Sequence, residues 1–111
     1  MGRQHRERRV YSCDRTQARS MASRAVRELG LQPDPASGEW EIRAAQARSN
    51  YTWGERIHVV TATNPGGGTQ VVVESKLVFG FVDWGRNRRN VEAIFAVLDE
   101  TIGPGQPAPL A

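Results

Sequence analysis

Cysteine and lysine are nearly absent from this chain of 111 residues, which has one of each, Cys13 and Lys76. A single cysteine cannot form a disulfide within the chain, and such low usage fits a reducing compartment. No run of apolar residues approaches the ~20 that a membrane-spanning helix needs. Residues 1–9 are charged and have no apolar stretch behind them, which is unlike a signal peptide. We therefore expect a cytoplasmic protein without a transmembrane segment.

Positive and negative charges nearly balance, since the formal net charge is only +3. The first nine residues hold Arg3, Arg6, Arg8 and Arg9 against Glu7, and this excess of three equals the whole net charge. The remainder is balanced, which indicates a basic tail on a neutral body rather than a basic groove. Because nearly every cation is arginine, we attribute the bias first to GC-rich coding and second to phosphate recognition.

Apolar residues make up 39% of the chain and charged residues 24%, as in a globular protein. We predict a disordered basic arm over residues 1–7, a single α+β domain over 8–103 and a Pro-rich disordered tail over 104–111. The domain begins with a strand at 8–13. Asp14 is then a suitable helix N-cap, Gln17 completes a capping box, and Gly30 ends the helix. Its apolar stripe consists of Ala18, Met21, Ala22, Ala25, Val26 and Leu29.

Three alternating runs at 39–48, 55–63 and 70–78 predict half-buried strands, the last two joined by a hairpin at 64–68. A final helix follows, capped by Asn87 and ended by Gly103-Pro104. Its apolar face consists of Val91, Ile94, Phe95, Leu98 and Ile102. The predicted order is therefore β-α-β-β-β-α. The simplest arrangement is an antiparallel sheet with two helices packed on one face.

Three arginines, Arg86, Arg88 and Arg89, crowd the start of the final helix. Cations there oppose the helix dipole at a cost of roughly 0.3–1 kcal/mol each, so something should offset them. Nearby carboxylates at Asp83 and Glu92 would do so locally, and this is the interpretation we favour. The alternative is a bound anion, because arginines and free helix N–H groups together suit a phosphate or carboxylate.

Two tryptophans, Trp53 and Trp84, each precede a glycine at the entrance to a predicted element. If they meet, an aromatic pair would join the strand entrance to the second helix. The alternative is a shallow aromatic pocket, ringed by Arg86 and Glu55, for a small molecule or sugar.

The remaining motifs give no catalytic or metal-binding prediction. Gly66-Gly67-Gly68 lies between two strands and lacks the lysine of a phosphate loop, so it is interpreted as a turn. His5 and His58 have no partner at ligand spacing, and His58 is expected to face solvent. Cys13 precedes a helix but is interpreted as a small apolar filler. No catalytic residue, metal or cofactor is therefore expected.

The segments Trp53-Gly54-Glu55 and 83–92 (DWGRNRRNVE) resemble a small bacterial domain of unknown function. In that group a strand and a helix ending in Leu-Gly precede the strands, as Leu29-Gly30 does here. The resemblance covers roughly residues 8–102 and implies a fold rather than an activity. Some members resemble exported or lipid-anchored envelope proteins, whereas this sequence shows neither a signal segment nor a lipid-acceptor cysteine near its start.

Three functions follow in order of preference. The first is a non-enzymatic binding or structural module with a protein partner or a second copy, which would cover an exposed sheet face carrying Val60, Ala62 and Val72. The second is nucleic-acid or anion binding through the arginine arm and the cluster at 86–89. The third is an enzyme or small-ligand protein that uses the region of Trp53 and Trp84, but no general base is evident beside them.

Overall fold

The computed structural model describes residues 4–45, 55–77 and 85–109, and these residues form two helices and six strands. The elements are β1 Gln4–Tyr11, α1 Arg15–Glu28, β2 Gln32–Pro33, β3 Glu41–Ala45, β4 Glu55–Thr63, β5 Thr69–Leu77, α2 Arg86–Ile102 and β6 Gln106–Ala108. The predicted order β-α-β-β-β-α is confirmed, and two short edge strands, β2 and β6, are added to it.

The six strands form one antiparallel sheet in the order β2-β3-β4-β5-β1-β6. The hairpin of β4 and β5 is its centre, and the first strand of the chain pairs along the whole length of β5, from Gln4 opposite Lys76 to Tyr11 opposite Thr69. Both helices pack against the sheet, so the predicted α+β architecture is confirmed. We call the side beneath the helices the covered face and the other side the open face.

The covered face and the inner stripes of the helices make the hydrophobic core. Buried strand residues on this side alternate with exposed or partly exposed residues on the other, as the half-buried strand pattern predicts. Tyr11 and Phe95 are the largest buried side chains, and their rings stack with centroids 6.4 Å apart. The remaining fully buried strand and helix residues include Ala18, Ala22, Ala25, Val26, Ile42, Ile57, Val59, Val71, Val73, Val91, Ile94 and Leu98.

The two predicted disordered ends are wrong where the structure describes them. Residues 4–7 belong to β1 and pair with residues 73–76 of β5. Residues 106–108 form β6, which pairs with Arg8, Arg9 and Val10 on the other side of β1. The predicted first strand at 8–13 therefore begins earlier, at Gln4, and the consecutive charges of residues 4–7 gave no strand pattern. Proline argued against a strand at 106–108, although it is tolerated in an edge strand such as β6.

Of the two predicted helix caps, one is confirmed and one is wrong. Asp14 caps α1, because its carboxylate accepts a hydrogen bond from the backbone N–H of Gln17 at 2.7 Å. Asn87 does not cap α2, because the helix begins at Arg86, one residue before it. The N-cap is Gly85, which adopts the left-handed conformation (φ +76°). Asn87 is instead fully buried, and its Oδ1 accepts a hydrogen bond from the hydroxyl of Ser75 at 2.7 Å. The side chain therefore ties α2 to the sheet.

The predicted turn at Gly66-Gly67-Gly68 is confirmed as the connection between β4 and β5. Asn64 closes it by donating from Nδ2 to the carbonyl oxygen of Gly67 at 2.9 Å. Gly68 has a positive φ of +82°, and a Cβ there would overlap the backbone oxygen of Tyr11. Glycine is needed at this position by the backbone of the neighbouring strand rather than by a phosphate.

Candidate binding surface on the open face of the sheet

The open face has no helix packed on it in the part of the chain that the structure describes. On β1, β3, β4 and β5, strand alternation and register place fifteen side chains on this face. They are Gln4, Arg6, Arg8 and Val10 on β1, Glu41, Arg43 and Ala45 on β3, Arg56, His58, Val60 and Ala62 on β4, and Gln70, Val72, Glu74 and Lys76 on β5. His58 was expected to face solvent, and it lies on this side.

Charge on the open face is strongly positive. Four arginines and one lysine lie there against two carboxylates, an excess of three charges without counting His58. This excess equals the formal net charge of the whole chain, which is +3. The supposed basic arm contributes to it directly, because Arg6 and Arg8 point outward on β1 whereas Arg9 lies on the covered face. The net charge is thus concentrated on one surface.

Four of these cations lie in two neighbouring rows that cross the strands. Arg56 and Lys76 are opposite each other on β4 and β5, and the next row runs from Arg43 through β4 and β5 to Arg6. We call the four side chains of Arg6, Arg43, Arg56 and Lys76 the basic path. Arg6 and Arg56 are exposed, and within the described residues neither side chain makes an ion pair or hydrogen bond.

A carboxylate holds the β3 end of the basic path in place. Glu41 contacts Nη2 of Arg43 at 2.9 Å and Nε2 of His58 at 3.1 Å. The hydrogen bond from His58, followed by the charge of Arg43, lowers the pKa of Glu41 below its usual range. Lys76 lies 3.8 Å from Glu74, a longer and weaker pairing. These contacts orient the cations and leave the surface with its positive excess.

Three of the four residues of the basic path, all except Arg6, line a depression of the protein surface with a volume of about 680 Å³. His58 and the carboxylate of Glu74 line it from the sheet beside them. The segment 32–35, which contains β2 and two prolines, forms its other wall. A concave surface with converging cations can surround a bound anion more fully than a flat one can.

Aliphatic side chains occupy the open face beside the basic path. Val60 and Val72 are opposite each other on β4 and β5, and Ala62 and Val10 belong to the next row. All four are partly exposed. We call these four residues the aliphatic strip. The open face therefore has a cationic region and an apolar region that adjoin, and Arg8 lies opposite Val72 in the apolar one.

The residues predicted to bind an anion at the start of α2 are only partly described. Trp53 and Trp84 lie outside the described residues, as does the side chain of Arg86, the first residue of the helix. Arg88 is exposed and donates from Nε to Glu92 at 2.9 Å, which is the local pairing that the sequence suggested. Arg89 is exposed. An anion site at this helix start, and a pairing of the two tryptophans, stay predictions.

A second charged cluster lies on the covered face, between β1 and the end of α2. Asp99 accepts hydrogen bonds from the Tyr11 hydroxyl at 2.7 Å, from Arg9 Nη1 at 3.1 Å and from the backbone N–H of Gly105 at 3.0 Å. The guanidinium of Arg9 also stacks 4.4 Å from the ring centre of Phe95. Burial, with help from the adjacent carboxylate, raises the pKa of Tyr11. This cluster fixes the turn that leads into β6.

Cys13, the remaining candidate from the sequence, lies in surroundings typical of a structural residue. Cys13 is partly buried, and burial raises the pKa of its thiol, which disfavours the thiolate. No group of three histidine, cysteine, aspartate or glutamate side chains within residues 4–45, 55–77 and 85–109 could hold a metal ion. No helix in the same ranges is long and apolar enough to span a membrane.

Comparisons with family models, with curated proteins and with solved structures give no match to this chain.

The basic path was missed because sequence patterns act on one strand at a time. Alternation alone places Arg43 and Arg56 on the polar side of their strands. Their convergence with Arg6 and Lys76 depends on which strands are neighbours and in what register. The missing signal was the pairing of the first strand with the last strand of the hairpin.

Proposed function

We propose that this chain is a non-enzymatic binding module whose open sheet face binds a polyanionic partner. The observation that supports the proposal is the concentration of the chain's positive excess on the side of the sheet that the helices leave uncovered. A surface of one sign attracts partners of the other sign over distances of about 10 Å at moderate salt. The depression along the basic path gives such a partner a place to be held.

The choice of a polyanion over a second copy rests on charge. Two open faces brought together would each carry an excess of three positive charges, and like charges across an interface disfavour association. A polyanion meets the same surface with complementary charge. Binding a polyanion also needs no change in the fold, because the cations of the open face already lie on the outside.

The experiment compares two double variants that change the net charge equally. Arg6→Glu with Arg56→Glu alters the basic path at its two unpaired cations. Arg24→Glu with Arg27→Glu alters exposed positions on α1, on the opposite side of the molecule. Binding of fluorescently labelled heparin is followed by anisotropy at low salt, with circular dichroism as a check of folding.

We expect the open-face variant to lose at least tenfold in affinity and the α1 variant to lose much less. Equal losses in the two variants would show that only net charge matters and would contradict the proposal. A third variant, Arg88→Glu with Arg89→Glu, tests the anion site at the start of α2. If only that variant loses affinity, binding is at the helix start and not on the sheet.

A second candidate function is self-association across the aliphatic strip, which Val60, Ala62 and Val72 favour because they are apolar and partly exposed. It predicts a dimer that salt strengthens, since salt screens the repulsion between the two basic faces. Light scattering across the micromolar range, at low and high salt, measures the mass directly. A monomer under all these conditions would exclude it.

A further inference from the structure

We propose that the polyanion held by the open face is a single strand of nucleic acid, an inference that rests on the proposed function. A single strand has two different edges, with phosphates along one and bases along the other. The open face has two matching halves, the basic path and the aliphatic strip. Heparin and polyphosphate have no edge that would match the aliphatic half.

The length of the basic path fits a short stretch of backbone. It crosses from β3 to β1, which are three strand spacings apart, or about 14 Å. At a rise of about 3.4 Å per nucleotide, this distance accommodates about four phosphates of a stacked strand. Each of the four strands contributes one cation to the path, which matches this number, and Glu74 lies among them between His58 and Arg6.

The width of the path favours one backbone over two. Glu41 borders the path on the side of the aliphatic strip, level with Val60, and Glu74 lies within the path, between His58 and Arg6. A second phosphate backbone alongside the first would approach these carboxylates. The bases of a single strand meet no such repulsion, because the N–H groups on their edges, such as N3–H of thymine, can donate hydrogen bonds to carboxylates.

The aliphatic strip gives the bases an apolar surface. It begins one row beyond the basic path, about 7 Å away along the strands. In a duplex the base faces are stacked inside and could not reach it, whereas unpaired bases can lie against it. Among the outward side chains of β1, β3, β4 and β5, the imidazole of His58 is the one aromatic ring and it lies in the row of the basic path, so we expect weak contacts that tolerate any base rather than sequence-specific stacking.

The experiment uses the full chain and three labelled probes, namely a 12-nucleotide deoxythymidine strand, a 12-base-pair duplex and heparin. Anisotropy is measured over a series of salt concentrations. We expect the single strand to bind at least tenfold more tightly than the duplex. Its logarithmic salt dependence should have a slope of about −3, as four phosphate contacts give about −0.7 each.

A pair of variants separates the two halves of the face. Val60→Ser with Val72→Ser removes apolar surface without changing charge, so it should weaken single-strand binding about fivefold or more and leave heparin binding unchanged. Leu29→Ser, which removes an exposed apolar side chain at the end of α1, is the control and should change neither. If the open-face serine variant binds the single strand as well as the wild type does, the proposed base contact is overturned.

The probes also distinguish this inference from the proposed function. If the duplex binds as tightly as the single strand, or if heparin binds and neither oligonucleotide does, the inference fails while the proposed function stands. If none of the three probes binds at low salt, both fail.

Discussion

The two faces of the sheet each carry a carboxylate that joins an arginine to a ring, yet the surroundings differ. On the covered face Asp99, on α2, connects Arg9 to the hydroxyl of Tyr11; Tyr11 is 1% exposed, and the side chains of Arg9 and Asp99 are 21% and 33% exposed. On the open face Glu41 connects Arg43 to His58, whose side chains are 59% and 41% exposed. A contact to a buried group such as the Tyr11 hydroxyl is costly to break because water cannot replace the lost partner, whereas ion pairs in solvent contribute little. The same chemistry therefore supports the fold on one face and sets surface charge on the other.

The largest expected effect is on the covered face. Asp99→Ala leaves the buried hydroxyl of Tyr11 without its acceptor and also removes the hydrogen bonds from Arg9 and from the N–H of Gly105, so we expect a loss of about 3 kcal/mol in the free energy of unfolding. Urea denaturation measures it. Glu100→Ala, at the exposed neighbouring position, should change stability by no more than about 0.5 kcal/mol. Comparable losses in both variants would mean that the Asp99 cluster has no special role.

The second prediction compares one residue type on the two faces. Val73 is fully buried beneath the helices, and its neighbour Val72 lies on the open face. Val73→Ala removes two methyl groups from the core and should cost about 2 kcal/mol, including the cavity it leaves. Val72→Ala should cost less than about 1 kcal/mol. Similar losses would indicate that something covers the open face in solution, as a dimer would.

The covered face could be predicted from the sequence because it follows local rules. The apolar stripes around Val26 and Phe95, the cap at Asp14 and the stop at Gly30 each depend on neighbours within a few residues. The alternation of the three middle strands likewise predicts which residues are inside. Such short-range signals can be recognised in the sequence without knowledge of the fold.

The open face could not be predicted because it depends on long-range pairing. Arg6 and Lys76 are far apart in the chain and become neighbours only because β1 pairs with β5. The charged residues 4–7 show no apolar alternation, so the pairing left no local pattern. Asn87 was misplaced for a related reason: its partner, Ser75, is on a different element. The predicted site at Trp53 and Trp84 lies outside the described residues.

The third prediction concerns alkaline pH. The folded protein raises the pKa of Tyr11 above the value of about 10 for an unfolded tyrosine, so folding favours the protonated hydroxyl. This stability is fully present below about pH 10 and decreases as the pH rises further, by up to about 1.4 kcal/mol per pH unit. Tyr11→Phe should remove this part of the pH dependence. Urea denaturation from about pH 7 to pH 11 measures it, and equal slopes in wild type and variant would contradict it.

The smallest effect is expected from Glu41→Gln on the open face. The change removes a negative charge beside Arg43 and raises the excess of that face from three to four, so heparin affinity should rise roughly twofold at low salt. Glu92→Gln on α2 changes the net charge equally and should have less effect. Because the pKa of Glu41 is lowered, the difference from wild type should persist at about pH 5 and fade only at more acidic pH. Equal gains in the two variants would show that heparin affinity depends only on the total charge of the protein. The open face would then have no special role in binding.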